Sequence, residues 1–235
     1  SMPITRNVTL DIMRTVAIVL MVIFHFAYDL RFFGWVDWSV PNGPGWKQFR
    51  YVILSLFFLS VGASLVFAHH QRVDLKSFAK RIMWIVVWAC VISLFTYWFF
   101  NSNWIFFGVL HFIAVASVLC LPFARYPVMA CFIGIGIITL FLTNVVTSKW
   151  PFNLWELGLP SSPNDYVALF PWVGVVLLGI GVGHMFIKGI DPCASLKLST
   201  KITFLGRHSL AVYVLHQPLF FVTLGSVYWL SHSVM

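Results

Sequence analysis

TLDIMRTVAIVLMVIFHFAYDLRFF, residues 9–33, decides the fold. From Leu10 to Phe33 the chain is a predominantly apolar run, and a helix of that length covers the ~30 Å hydrocarbon core of a bilayer. Tyr51 to Ala68 is a second run of the same kind. Across 235 residues, 60% are hydrophobic and only 9% charged, whereas a soluble domain carries charge on about a quarter of its residues. Too little polar surface is left to face water. The first run is too long for a secretory signal and lacks a small-residue cleavage site.

Working outward, the apolar runs predict seven helices, at about 9–33, 49–69, 80–100, 105–123, 128–147, 167–187 and 203–230. The breaks between them have chemical causes. Residues 34–46 are rich in glycine and proline, Pro122 and Pro127 bracket a tight turn, and GLPSSPND at 158–165 cannot continue a helix. No repeat is visible, so the expectation is an all-α, polytopic membrane bundle of about seven transmembrane helices, with residues 1–235 forming a single domain. Gly179, Gly181 and Gly183 have the spacing for close helix packing.

The net charge of +8 sits in short segments between apolar runs, which reads as topology and not as a nucleic-acid patch. With the N-terminus cytoplasmic, the inside set is Arg6, Arg14, Arg72, Lys76, Lys80, Arg81, Arg125, Lys188, Lys197, Lys201 and Arg207. The outside set is Arg31, Lys47, Arg50 and Lys149. That split, 11 against 4 of the 15 bases, favours N-in and C-out. Cys90, Cys120 and Cys131 fall inside predicted spans and Cys193 in a loop, a pattern that implies neither a disulfide framework nor a metal site.

An ionisable side chain at membrane depth is expensive and marks a functional candidate. At roughly 100° per residue, Asp11, Arg14, His25 and Asp29 share a stripe about 60° wide on the first helix. The rest of that helix is nearly all apolar, so the stripe must face the interior. His25 and Asp29 are one turn apart and can touch. A carboxylate beside an imidazole orients it and raises its basicity, as a general base requires. The alternative is a buried pair that merely satisfies its own polarity. His111 in the fourth helix and His216 in the seventh also lie within spans. Ser209, Tyr213 and His216 share one face, and Trp172 opens the sixth helix. One cavity could collect these side chains from four helices. Arg14 and Arg207 flank spans closely enough to hold phosphates in a fork geometry. Lys201 reads as ordinary anchoring.

RNVTLDIMRTVAIVLMVIFHFAYDL (6–30) resembles the opening signature of bacterial proteins related to the heparan-alpha-glucosaminide N-acetyltransferase catalytic domain, part of a wider superfamily of transmembrane acyltransferases. FFGVLHFIAVAS (106–117), ALFPWVGVVLLG (168–179) and LGRHSLAVYVLHQPLF (205–220) resemble its later blocks, in the same order. The resemblance implies transfer of an acyl group, acetyl in the family, from cytosolic acetyl-CoA. The acceptor would be an amino sugar, glycan or other small envelope molecule at the outer face of a bacterial inner membrane. Relatives imply a homodimer. The lysosomal relative places its proposed catalytic histidine in the non-cytosolic loop after the first of these helices. Here that loop, Gly34 to Trp46, has no histidine, so the role passes to His25 or His111. The expected chemistry is proton removal from the acceptor by His25, held by Asp29. His111, Tyr213 or His216 would then donate to the oxyanion, and Arg14 and Arg207 would hold the coenzyme A phosphates. An acyl-histidine intermediate is the other route. Two rival classes are a proton-coupled transporter and a haem carrier with paired axial histidines. The transporter lacks the inverted repeat such folds show, and the haem carrier would be coloured.

Overall fold

The computed structural model describes residues 6–100, 104–148, 150, 166–196, 201 and 203–234, and among them there is no strand. The helices are α1 (Val8–Phe32), α2 (Trp46–His69), α3 (Leu75–Phe100), α4 (Val109–Cys120, continued by a 3-10 turn Leu121–Phe123), α5 (Pro127–Leu142), α6 (Leu169–Ile187), the single turn α7 (Phe204–Arg207) and α8 (Ser209–Ser233). Five of them, α1, α2, α3, α6 and α8, are long and apolar enough to cross a membrane. The chain is a multi-pass membrane protein. α4 and α5 are apolar but shorter. Lys149, Lys197 and the expected break at 158–165 lie outside the described residues.

Local chemistry sets the ends. α5 stops five residues short of the expected 147 because Asn144 adopts a left-handed conformation, φ 60°. Val145 N–H then returns to the Leu140 carbonyl at 2.9 Å and Asn144 N–H to Phe141 at 3.0 Å, which satisfies the last carbonyls and ends the helix. Gly34, φ 76°, closes α1 in the same way, with Trp35 N–H on the Leu30 carbonyl. At the other end of α1, Asn7 accepts from Leu10 N–H at 2.9 Å. Asp191 accepts from Val8 and Thr9 N–H, each at 2.9 Å, and from the Thr9 hydroxyl. Burial pushes the Asp191 carboxyl up, but the bonds from Thr9, Val8 and Cys193 outweigh it and hold the group below the usual carboxylate range.

The residues divide into two compact units. One is Thr5–Phe57 with Asp191–Met235, the other Phe58–Ile190. In the first, α1 packs on α7 and α8. Its buried face carries Ala17, Ile18, Met21, Phe24 and Ala27, and Phe24 meets the rings of Trp46 and Phe49. Val16, Val19, Ile23 and Phe26 make the exposed face, as suits a helix with lipid on one side. The polar stripe is turned inward, with Asp29 0% and Asp11 7% exposed. Gly206 lets α7 press on α1, since a Cβ there would sit 2.6 Å from the Thr15 hydroxyl.

In the second unit α5 packs on α6 and α4 on α3 and α6. Glycine makes the α5–α6 seam close and brings α6 against α2. A Cβ at Gly134 would lie 2.7 Å from the Gly174 carbonyl, and one at Gly183 would lie 2.8 Å from Ala63 Cα. At Gly179 it would strike the Leu59 backbone. Contacts this near need residues without side chains.

Candidate active site

His25 on α1 and His216 on α8 meet with ring centroids 4.7 Å apart and planes at 71°. Each ring is tethered to its own helix. His25 Nδ1 lies 2.9 Å from the Met21 carbonyl. His216 Nδ1 lies 3.1 Å from the Val212 carbonyl and 2.7 Å from that of Tyr213. A carbonyl can only accept, so Nδ1 carries the proton in both rings. The tautomer assignment follows from these partners. In the neutral rings Nε2 is therefore a bare lone pair. His216 is 7% exposed, and its Nε2 is buried without a hydrogen-bond partner. A neutral His216 can accept a proton but cannot donate one to an oxyanion, contrary to one of its expected roles.

One turn further along α1, Gln217 Nε2 donates to Asp29 Oδ1 at 3.1 Å. Asp29 is fully enclosed; its Oδ2 and the Gln217 Oε1 are both buried and unpartnered. The expected His25–Asp29 contact is not made. Side chains on a helix lean toward its N-terminus, so His25 reaches back to Met21 and its Nδ1 is taken. Asp29 turns across to α8 instead. α1 and α8 thus face each other as a two-rung ladder, imidazole on imidazole and carboxylate on amide. Tyr213 stands half-buried beside the first rung, its ring 5.8 Å from that of His216.

Near the start of α1, Asp11 pairs with Arg6 and, at 3.8 Å, with Arg14. Thr203, 1% exposed, accepts from Arg6 Nη2 at 2.7 Å and from Arg207 Nη2 at 3.0 Å. Three guanidinium groups therefore gather around one carboxylate and one hydroxyl. Beside them an open groove of about 560 Å³ is lined by Lys201, Phe204, Arg207 and His208, with the Phe204 and His208 rings 4.2 Å apart. Cations beside aromatic faces suit phosphates attached to a heterocyclic base. Arg6 and Thr203 were not among the expected binders. Arg6 precedes the helix and has no face assignment, and Thr203 lies 197 residues from it.

His111 and Trp172 belong to the other unit. His111 Nδ1 accepts from Gly108 N–H at 3.0 Å, closing the N-terminus of α4. Its Nε2 lies 2.7 Å from Ser93 Oγ, whose own proton goes to the Ile105 carbonyl at 2.8 Å. Nε2 must then donate, giving the tautomer opposite to that of His25 and His216. Nδ1 closes the start of α4 and Nε2 ties α4 to α3, so both nitrogens of His111 are committed, which is not the state of a waiting base. Trp172 packs its ring 5.7 Å from Phe58. Among the described residues no group of three or more His, Cys, Asp or Glu side chains is placed to hold a metal ion.

No match appears among curated proteins or solved structures. The model of the family described as heparan-alpha-glucosaminide N-acetyltransferase, catalytic, matches residues 6–218. That span begins at the first of the clustered arginines and closes just past Gln217, so both rungs of the ladder fall within it. The chain belongs to the heparan-alpha-glucosaminide N-acetyltransferase catalytic domain family.

Proposed function

We infer that this protein is an acyl-CoA-dependent membrane acyltransferase. It moves an acetyl group from cytosolic acetyl-CoA to an amino sugar, glycan or other envelope acceptor across a bacterial inner membrane. The observation that carries the reading is the pair of imidazoles with bare Nε2 atoms inside a family match that covers most of the chain. The charge split supports an N-in arrangement in which α4 and α5 complete seven spans.

In the reaction, Nε2 of His25 takes the proton of the acceptor amine or hydroxyl as that group attacks the thioester carbonyl. The new bond from acceptor to carbon forms while the carbonyl π pair moves onto oxygen. Collapse of that adduct breaks the carbon–sulfur bond. The thiolate leaves with the proton returned by the imidazolium, giving the acylated acceptor and free coenzyme A. The Tyr213 hydroxyl is the donor suited to the oxyanion, because a neutral His216 has no proton on its free nitrogen. His216 serves as the second base of the pair. Arg14 and Arg207, joined by Arg6, hold the phosphates of the donor.

Labelled acetyl-CoA, incubated with the purified protein and an envelope extract and followed by mass spectrometry of both, tests this. The expected result is label in an extract component, lost in His25→Ala while that variant stays folded. Substrate uptake into proteoliposomes without any acyl donor would establish the transporter instead.

A further inference from the structure

Three side-chain atoms of the ladder have no partner: Asp29 Oδ2, Gln217 Oε1 and His216 Nε2. The amide oxygen can only accept, the tethered imidazole has only a lone pair at Nε2, and the second carboxyl oxygen accepts when ionised and donates when protonated. Asp29 is 0% and His216 7% exposed. A buried polar atom without a partner is destabilising, so three on one pair of helices, two of them fixed acceptors, call for a ligand rich in N–H and O–H groups. The proton abstraction above needs only the imidazole rung. The carboxylate–amide rung has no part in it, yet Asp29 lies one turn from His25, about 6 Å along α1, and Gln217 directly follows His216 on α8.

We propose that Asp29 and Gln217 form a recognition subsite for the acceptor, binding a second hydroxyl or amine while its nucleophile lies at the imidazole rung. This deepens the acyltransferase reading and rests on it. The substrate is then polyfunctional: a small ring or chain carrying a nucleophile and at least one further hydrogen-bond donor on the scale of one helical turn away. A simple amine or alcohol, with nothing to give the second rung, is a poor acceptor, because a site built to bond a substrate hydroxyl discriminates strongly against its absence.

The experiment compares ring compounds that share a nucleophile and differ in its neighbours, glucosamine against cyclohexylamine and glucose against cyclohexanol. The full chain in detergent is used, with labelled acetyl-CoA. Wild type should favour the hydroxylated member of the active pair by about ten-fold or more in kcat/KM. Gln217→Met and Asp29→Asn should each raise KM for that member about ten-fold, leave KM for acetyl-CoA in place and compress the preference. Equal use of both members by wild type, or an equal loss toward both in the variants, overturns the subsite. So does a lowered melting temperature with unchanged KM, which would make the pair an internal hydrogen bond only. Binding without an acyl donor separates the two levels of the argument. Protection of wild type from melting by glucosamine or glucose, absent in Gln217→Met, upholds the subsite even where no acyl transfer occurs. If neither protection nor transfer is seen with any of the probes, both readings fall.

Discussion

His25 and His216 on the one hand, and His111 on the other, are the same side chain held in opposite ways. On α1 and α8 each ring gives its Nδ1 proton to a carbonyl of the preceding turn, and Nε2 is left as a lone pair. On α4 the ring receives a backbone N–H at Nδ1 and spends Nε2 on a serine hydroxyl. In an apolar medium a ring nitrogen is either bonded or chemically available. The first arrangement yields two bases side by side. The second yields a strut.

The largest effect expected from this contrast is on rate. His25→Gln and His216→Gln should each lower acetyl transfer by about 10²–10⁴, the range for a lost general base, with melting temperatures close to wild type. A variant of either that kept full turnover would erase the distinction. His111→Ala should act oppositely. Loss of a buried ring with both nitrogens bonded costs about 1–3 kcal/mol of stability, while activity per folded molecule is retained. Denaturation alongside turnover reads both quantities in one preparation, and Ser93→Ala should reproduce part of the loss.

Smaller effects lie at the arginine cluster and the α1 cap. Arg207→Gln should raise KM for acetyl-CoA about ten-fold, as removal of one charged hydrogen bond implies, and should weaken the salt dependence of that KM. Asp191→Asn should cost about 1 kcal/mol, the usual worth of a capping side chain. The pH dependence has a definite sign. The Asp191 carboxyl is held below its ordinary value by hydrogen bonds that outweigh its burial. Its contribution is therefore complete above the unfolded value near pH 4 and is lost as pH falls through the lower folded value. A melting curve against pH should show that acid limb in wild type and not in the asparagine variant.

Much of this architecture was legible in the residues. Long apolar runs and the proline breaks located the helices, because a bilayer fixes span length and leaves few alternatives. The inward stripe on α1 followed from helical periodicity alone. The early stop of α5 was not visible, since Asn144 continues a helix on composition and ends it only through its left-handed backbone. The site was readable as a set of residues but not as a set of contacts. Spacing allowed His25 to touch Asp29; the lean of the side chain gave each a different partner. Gln217 on Asp29, Asp191 on the start of α1 and Thr203 on Arg6 join positions 188, 183 and 197 residues apart. No periodicity within one helix encodes such meetings.

Nitrogen NMR of the purified protein with labelled histidine, assigned through His25→Gln, His216→Gln and His111→Gln, reads the protonation of each ring nitrogen directly. For neutral rings, the account predicts protons on Nδ1 and bare Nε2 at positions 25 and 216, with the reverse at 111. Protonated Nε2 in the resting rings of His25 and His216 would contradict it, since neither could then take a proton from the acceptor.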